Sequence, residues 1–226
     1  MKLTIKSLAA TTLLLAPFAQ ANHFYIGLET TGSVIDYKSS DYAIDGQNYD
    51  VDKSAFGLGA TLGYRYSQWL SLEAGASYTY SNPITETIYN TVTLGSTSVR
   101  TRNFLDLEAN IYSFSLAPKF TLPLNTKLNL FAKPSIHYTI TDADVYYSGS
   151  RSIYDSGLFL DSDSKSTNAS NKEKYVHGAV ELGTDFNITK NFGMKFSYQY
   201  LFDGVQFSSD EKLDQQTFKV GVFWFM

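Results

Sequence analysis

Residues 192–200 read Phe192-Gly193-Met194-Lys195-Phe196-Ser197-Tyr198-Gln199-Tyr200. Every even position is large and apolar or aromatic, and every odd position is glycine, lysine, serine or glutamine. A period of two places alternate side chains on opposite faces of an extended strand. This stretch therefore predicts a strand with one bulky face and one small, polar face.

Working outward, the same alternation recurs seven more times. Phe24, Ile26 and Leu28 alternate with Tyr25, Gly27 and Glu29. Phe56 to Tyr64 alternate with Gly57, Gly59, Thr61, Gly63 and Arg65, and Leu70 to Tyr80 with Ser71, Glu73, Gly75 and Ser77. Tyr112 to Phe120 oppose Ser113, Ser115, Ala117 and Lys119. Leu128 to Tyr138 oppose Asn129, Phe131, Lys133, Ser135 and His137. Val176 to Phe186 oppose His177, Glu181, Gly183 and Asp185. The last run, Phe218 to Met226, opposes Lys219, Gly221, Phe223 and Phe225.

The connections between these runs are short and long in turn. Ser67-Gln68, Leu122–Thr126 and Thr189–Asn191 are short. Residues 36–52, 81–105, 141–174 and 203–215 are read as four long loops. Eight strands with short turns at one end and long loops at the other predict an all-β, eight-stranded, antiparallel up-and-down transmembrane barrel. The short turns and both termini then lie on the periplasmic side.

Volume decides which face is which. An eight-stranded barrel has an interior only wide enough for side chains to meet. It has no room for a bulky residue at every second position, so the large side chains face lipid and the small polar ones face inward. Closure pairs every backbone group, which hydrocarbon demands. Two features strain the scheme: Pro118 and Pro134 fall inside strands, where each removes a ladder donor, and the parity of 106–112 is unclear, with Leu107 and Ile111 on the inner face. A bulge would explain either feature, the prolines or the parity, at a position that the alternation does not fix.

The first 21 residues form a separate unit. Lys2 and Lys6 precede the apolar run Leu8–Ala16, and Ala19-Gln20-Ala21 has the small-x-small form of a cleavage site. This predicts a secretory signal peptide removed after Ala21, leaving a barrel over 22–226. Removing both lysines takes the formal net charge from −4 to −6. The chain has no cysteine, which excludes disulfides, thiol catalysis and Cys-ligated zinc. A net acidic chain with 18% charged residues is also no nucleic-acid binder.

The inner face predicts a lumen charge network of Glu29, Arg65, Glu73, Lys119, Lys133, Glu181, Asp185, Lys195 and Lys219. Charges in so narrow a space need partners, so cross-lumen ion pairs follow. Such a set describes a polar plug, with a gated channel as the alternative. His137 and His177 lack the third ligand that a metal site requires, so they are read as polar lumen residues and no metal or cofactor is expected. No spaced Ser/His/Asp set points to catalysis. In the third loop, Asp161–Asn168 reads as flexible polar chain, while Leu158-Phe159-Leu160 is an exposed apolar cluster, a barrel cap or a strand extension.

The C-terminal octad Lys219-Val220-Gly221-Val222-Phe223-Trp224-Phe225-Met226 resembles the insertion signal of bacterial outer-membrane barrels at Lys219, Gly221 and Trp224, with Met226 where the family usually has Phe. Together with Leu70–Gly75 and Phe192–Tyr200, it makes the chain resemble the small OmpA-type, porin-family, surface-antigen-like barrels, without a peptidoglycan-binding domain. That resemblance implies a bacterial outer-membrane location, contact with outer-membrane lipid and lipopolysaccharide, delivery by periplasmic chaperones, and insertion by the barrel-assembly machinery. The expected protein is a monomer with a structural or surface-interaction role as antigen or adhesin. A narrow diffusion channel is the alternative, and a lipid-modifying enzyme a distant third.

Overall fold

The structure, a computed structural model, describes residues 23–36, 43–44, 47–48, 52–206 and 212–226. The signal peptide and its cleavage after Ala21 lie outside the described residues. So do parts of the connections 36–52 and 203–215. The strands are β1 (Phe24–Ile35), β2 (Ala43–Ile44), β3 (Gln47–Asn48), β4 (Ser54–Arg65), β5 (Leu70–Leu94), β6 (Thr97–Pro123), β7 (Leu128–Asp155), β8 (Leu158–Asn187), β9 (Phe192–Gln206) and β10 (Lys212–Phe225).

Eight of these strands close into an antiparallel barrel in the order β1-β10-β9-β8-β7-β6-β5-β4, while β2 and β3 form a separate short hairpin. The closing seam joins β1 to β10 without a break from Tyr25↔Phe225 to Ile35↔Gln215. The bulky face points outward: Leu28, Phe56, Leu58, Ile136, Val176 and Trp224 are each at least 60% exposed.

The three short turns share one construction. The backbone N–H groups of Tyr66 and Ser67 donate to the Leu70 carbonyl, and the Leu70 N–H donates back to Ser67 Oγ. Leu124 and Asn125 treat Leu128 the same way, with Asn125 Oδ1 as the return acceptor. Ile188 and Thr189 repeat the pattern with Phe192 and Thr189 Oγ1. A short hydroxyl or amide side chain thus stands in for a backbone acceptor at each reversal.

Two of the four expected loops are strands. The segments 81–105 and 141–174 belong to β5–β6 and β7–β8, which reverse tightly at Gly95 (φ 64°) and at Ser156-Gly157 (φ 49° and 84°). Asp161–Asn168, read as flexible chain, pairs residue by residue with Tyr146–Ile153. Both faces of these hairpins carry polar residues, so the apolar alternation that marks the membrane-crossing runs is missing. Thr85, Thr87, Thr91 and Thr93 supply the β-branched preference for extended backbone instead.

Past Ser81 on β5 and before Ala179 on β8, neither β4 nor β9 pairs with these strands. Four strands thus leave the barrel as a sheet. The run from Ser81 to Leu94 extends it by about 40 Å at the usual rise per residue.

The bulge that would explain the prolines is absent. Pairing of β6 with β7 stops after Leu116↔Ile136 and resumes at Phe120↔Ala132 in the same register, which sets Pro118 directly opposite Pro134. Loss of three consecutive pairs is the result when two residues that would exchange both N–H···O bonds lack both donors. One gap absorbs both prolines, and the register is undisturbed. The register shifts lie elsewhere, at Ser81/Ile84, Ile153/Tyr154 and Leu213/Gln215.

Candidate functional site

The lumen is filled in layers. At the end bearing the short turns Tyr25, Phe223 and Phe225 are buried against one another, and the Arg65 guanidinium lies 4.1 Å from the Phe225 ring centroid. Glycines make this floor possible: a Cβ at Gly63 would lie 2.1 Å from Tyr25 Cζ, and one at Gly193 would lie 2.3 Å from Phe223 Cζ.

Above the floor lies a belt of charge. Glu73 accepts from Lys133 at 3.0 Å, stands 3.4 Å from Lys119, and accepts the Tyr25 hydroxyl at 2.5 Å. Lys119 reaches on to Asp185 at 2.7 Å, and Lys133 to Glu181 at 2.8 Å. Lys219 bridges Glu29 at 3.1 Å and Glu181 at 3.4 Å. Lys195 pairs with Glu29 and lies 3.6 Å from Glu181, which also accepts the Ser197 hydroxyl at 2.8 Å.

Eight of the nine expected lumen charges therefore meet in one network, contributed by β1, β5, β6, β7, β8, β9 and β10. Four carboxylates face four ammonium groups, the balance that lets charges be buried at all. Arg65 is apart from this belt and stacks on the aromatic floor instead.

The next layer is neutral and polar. His137 and His177 are directly opposed on β7 and β8, with their rings stacked at 5.1 Å. His137 Nδ1 lies 3.0 Å from Ser113 Oγ and its Nε2 lies 2.9 Å from Ser135 Oγ, while His177 Nε2 lies 2.9 Å from Thr139 Oγ1. Rings stacked face to face do not converge on a shared ion. Among the described residues, no group of three His, Cys, Asp or Glu side chains could hold a metal.

Ile35, Ala55, Ile111, Val205 and Leu213 then close the lumen with an apolar lid. The inner-face Ile111 of the ambiguous stretch belongs here. Leu107 lies higher, packed with Ile84 and Leu105 at the base of the protruding sheet. The lid escapes a reading by alternation, because its apolar residues sit on the face that is polar lower down the same strands.

The tip of the protruding sheet is apolar and carries charges of both signs, Arg100, Arg102 and Arg151 beside Asp155, Asp161 and Asp163. Leu94, Leu158, Phe159 and Leu160 are exposed, so the apolar cluster extends a strand and does not cap the barrel mouth. Arg100 lies over Tyr154 at 5.1 Å and Arg102 over Tyr89 at 5.9 Å. Along β8, the outer backbone edge of Leu158–Ser170 has no strand beside it among the described residues.

The C-terminal residues lie on the closing seam. Lys219 and Gly221 face the lumen, while Trp224 and Met226 face outward. Gly221 admits the neighbouring strand, since a Cβ there would lie 2.7 Å from the Leu28 carbonyl oxygen.

The chain is similar in fold to several solved structures. The Neisserial surface protein A structure is 12% identical and covers 90% of this chain and 97% of its own, with a TM-score of 0.50. The Pseudomonas aeruginosa outer membrane protein OprG is 13% identical over 91% of this chain and 97% of its own, with a TM-score of 0.49. Ail, the attachment invasion locus protein of Yersinia pestis, is 15% identical over 92% and 100%, with a TM-score of 0.47. No curated protein matches the sequence. The family model described as the outer membrane protein beta-barrel domain matches residues 6–224, and the chain belongs to that family.

Proposed function

We propose that the barrel is a closed outer-membrane anchor whose work is done by the sheet it raises above the cell surface. The observation that carries this reading is the length of β5–β8 beyond their last pairing with β4 and β9. A membrane anchor alone needs no strands beyond the bilayer. The free edge of Leu158–Ser170 can accept an extended segment of another protein through main-chain bonds. The apolar tip at Leu158-Phe159-Leu160 adds surface that solvent disfavours.

A signal peptide cleaved after Ala21, escort by periplasmic chaperones, insertion by the assembly machinery through the Lys219–Met226 signal, and a monomeric state complete the proposal. So does a lumen network that stabilises the barrel and carries no substrate.

Display on a non-adherent Gram-negative host tests the surface role. Bacteria carrying the whole protein are expected to attach to epithelial monolayers. A variant with both hairpins trimmed, joining Ile84 to Leu107 and Val145 to Ala169 by tight turns, should fall to the level of the empty host. Equal attachment by the trimmed form would refute the proposal.

The narrow-channel alternative is disfavoured by the filled lumen, with its aromatic floor and apolar lid. The purified barrel is expected to pass no steady current across a planar bilayer. Large, stable openings would favour the channel.

A further inference from the structure

We propose that the lipid-facing wall over β6–β8 holds a specific site for one acyl chain and one phosphate of an outer-leaflet lipopolysaccharide. The wall there is a groove of about 740 Å³. Of the outward positions that line it, Pro118, Pro134 and Gly178 are the lowest on three adjacent strands and form its floor. Phe114 and Leu72 border one side, and Val176 and Phe202 the other. The two opposed prolines and a glycine with no side chain are what hollow the wall.

What lies above the groove selects the occupant. Val176 is at its extracellular mouth, and the next outward side chain on β8 is Lys174, about 7 Å higher by strand rise. Lys174 is exposed, and no ion pair engages it among the described residues. The row above is Asn110, Asp142 and Lys172, with Lys172 held by Asp142 at 3.0 Å.

Apolar groove, free ammonium and polar row follow one another from mid-wall outward. An acyl chain, a phosphate and a sugar headgroup follow the same order. The mouth opens on the extracellular leaflet, where a phosphorylated glycolipid carries all three. A phospholipid offers the chain and the phosphate but no sugar for the polar row.

Gly178 makes the test clean. A Cβ built there meets nothing closer than Phe202 Cδ2 at 3.9 Å, so a larger side chain fills the groove without strain. Gly32, outward on β1 across the barrel, has nothing within 4 Å and serves as the control. The full-length mature protein in detergent is mixed with bis-phosphorylated lipid A, and retained lipid is read by native mass spectrometry. The unaltered protein and Gly32→Trp should each keep one lipid A. Gly178→Trp and Lys174→Glu should each lose about tenfold in retention, as removal of a burial site or reversal of a charge implies. Heat-modifiable gel mobility confirms that each variant is a folded barrel.

Undiminished retention by both site variants would overturn the proposal. Phosphatidylglycerol is expected to be held about tenfold less well than lipid A. Equal retention of the two would also overturn it, by showing a site for any anionic lipid.

Discussion

Glu181→Gln is expected to lower the stability of the folded barrel by about 3–5 kcal/mol, the usual cost of removing one partner from a buried ion cluster. Glu181 has no exposed surface and, among the described residues, is the only carboxylate within 4 Å of three lysines, Lys133, Lys195 and Lys219. The amide retains the shape and a hydrogen bond from Ser197 but carries no charge, so three ammonium groups are left to share Glu29 and Glu73. Urea unfolding in phospholipid vesicles, followed by fluorescence of the lipid-facing Trp69 and Trp224, measures the change.

Adding Lys133→Met to the glutamine variant should recover part of the loss, because it removes one of the stranded charges. Residues within one network are not expected to act additively. A change below about 1 kcal/mol in the single variant would mean that water enters the belt and screens it.

Gly183→Val should destabilise the closed barrel by about 3 kcal/mol, the upper end of the usual cost of overpacking. A Cβ at this inward position would lie 2.5 Å from the Phe196 carbonyl oxygen, 2.5 Å from Ser197 Cβ and 2.7 Å from Phe131 Cζ. The first contact is backbone and has no rotamer to yield. Gly178→Ala on the same strand should change stability by less than about 0.5 kcal/mol, as expected for a surface position away from special features. The contrast between two glycines of one strand reports which way each faces. Equal tolerance at both positions would contradict the assignment of faces.

The membrane-crossing part of the fold was legible because it obeys one rule over and over. Phe192–Tyr200 states that rule, and the lumen charges fall on the correct face because a period of two leaves no freedom once one residue is placed. The Arg65 contact was not legible, since alternation gives a face but not a height. Above the membrane the rule changes: both faces of a sheet meet water, so polar residues such as Asp161–Asn168 no longer signal a loop. The lid residues Ile35, Val205 and Leu213 escaped for the complementary reason, being apolar on the face that is elsewhere polar.

The paired prolines have a mechanical meaning. In the ring of eight strands, the β6–β7 junction lies diametrically across from the β1–β10 closure. Above Leu116↔Ile136 that junction is one long ladder continuing into the surface sheet; below it, only Phe120↔Ala132 to Pro123↔Asn129 remain. Beside the short turns the β6–β7 junction therefore keeps only a stub of ladder, and the strand ends around Pro118 and Pro134 are held from the sides by the unbroken β5–β6 and β7–β8 ladders. A gap at one junction of a closed ring is thus bridged by the two junctions beside it, so closure of the wall does not depend on the β6–β7 ladder being whole.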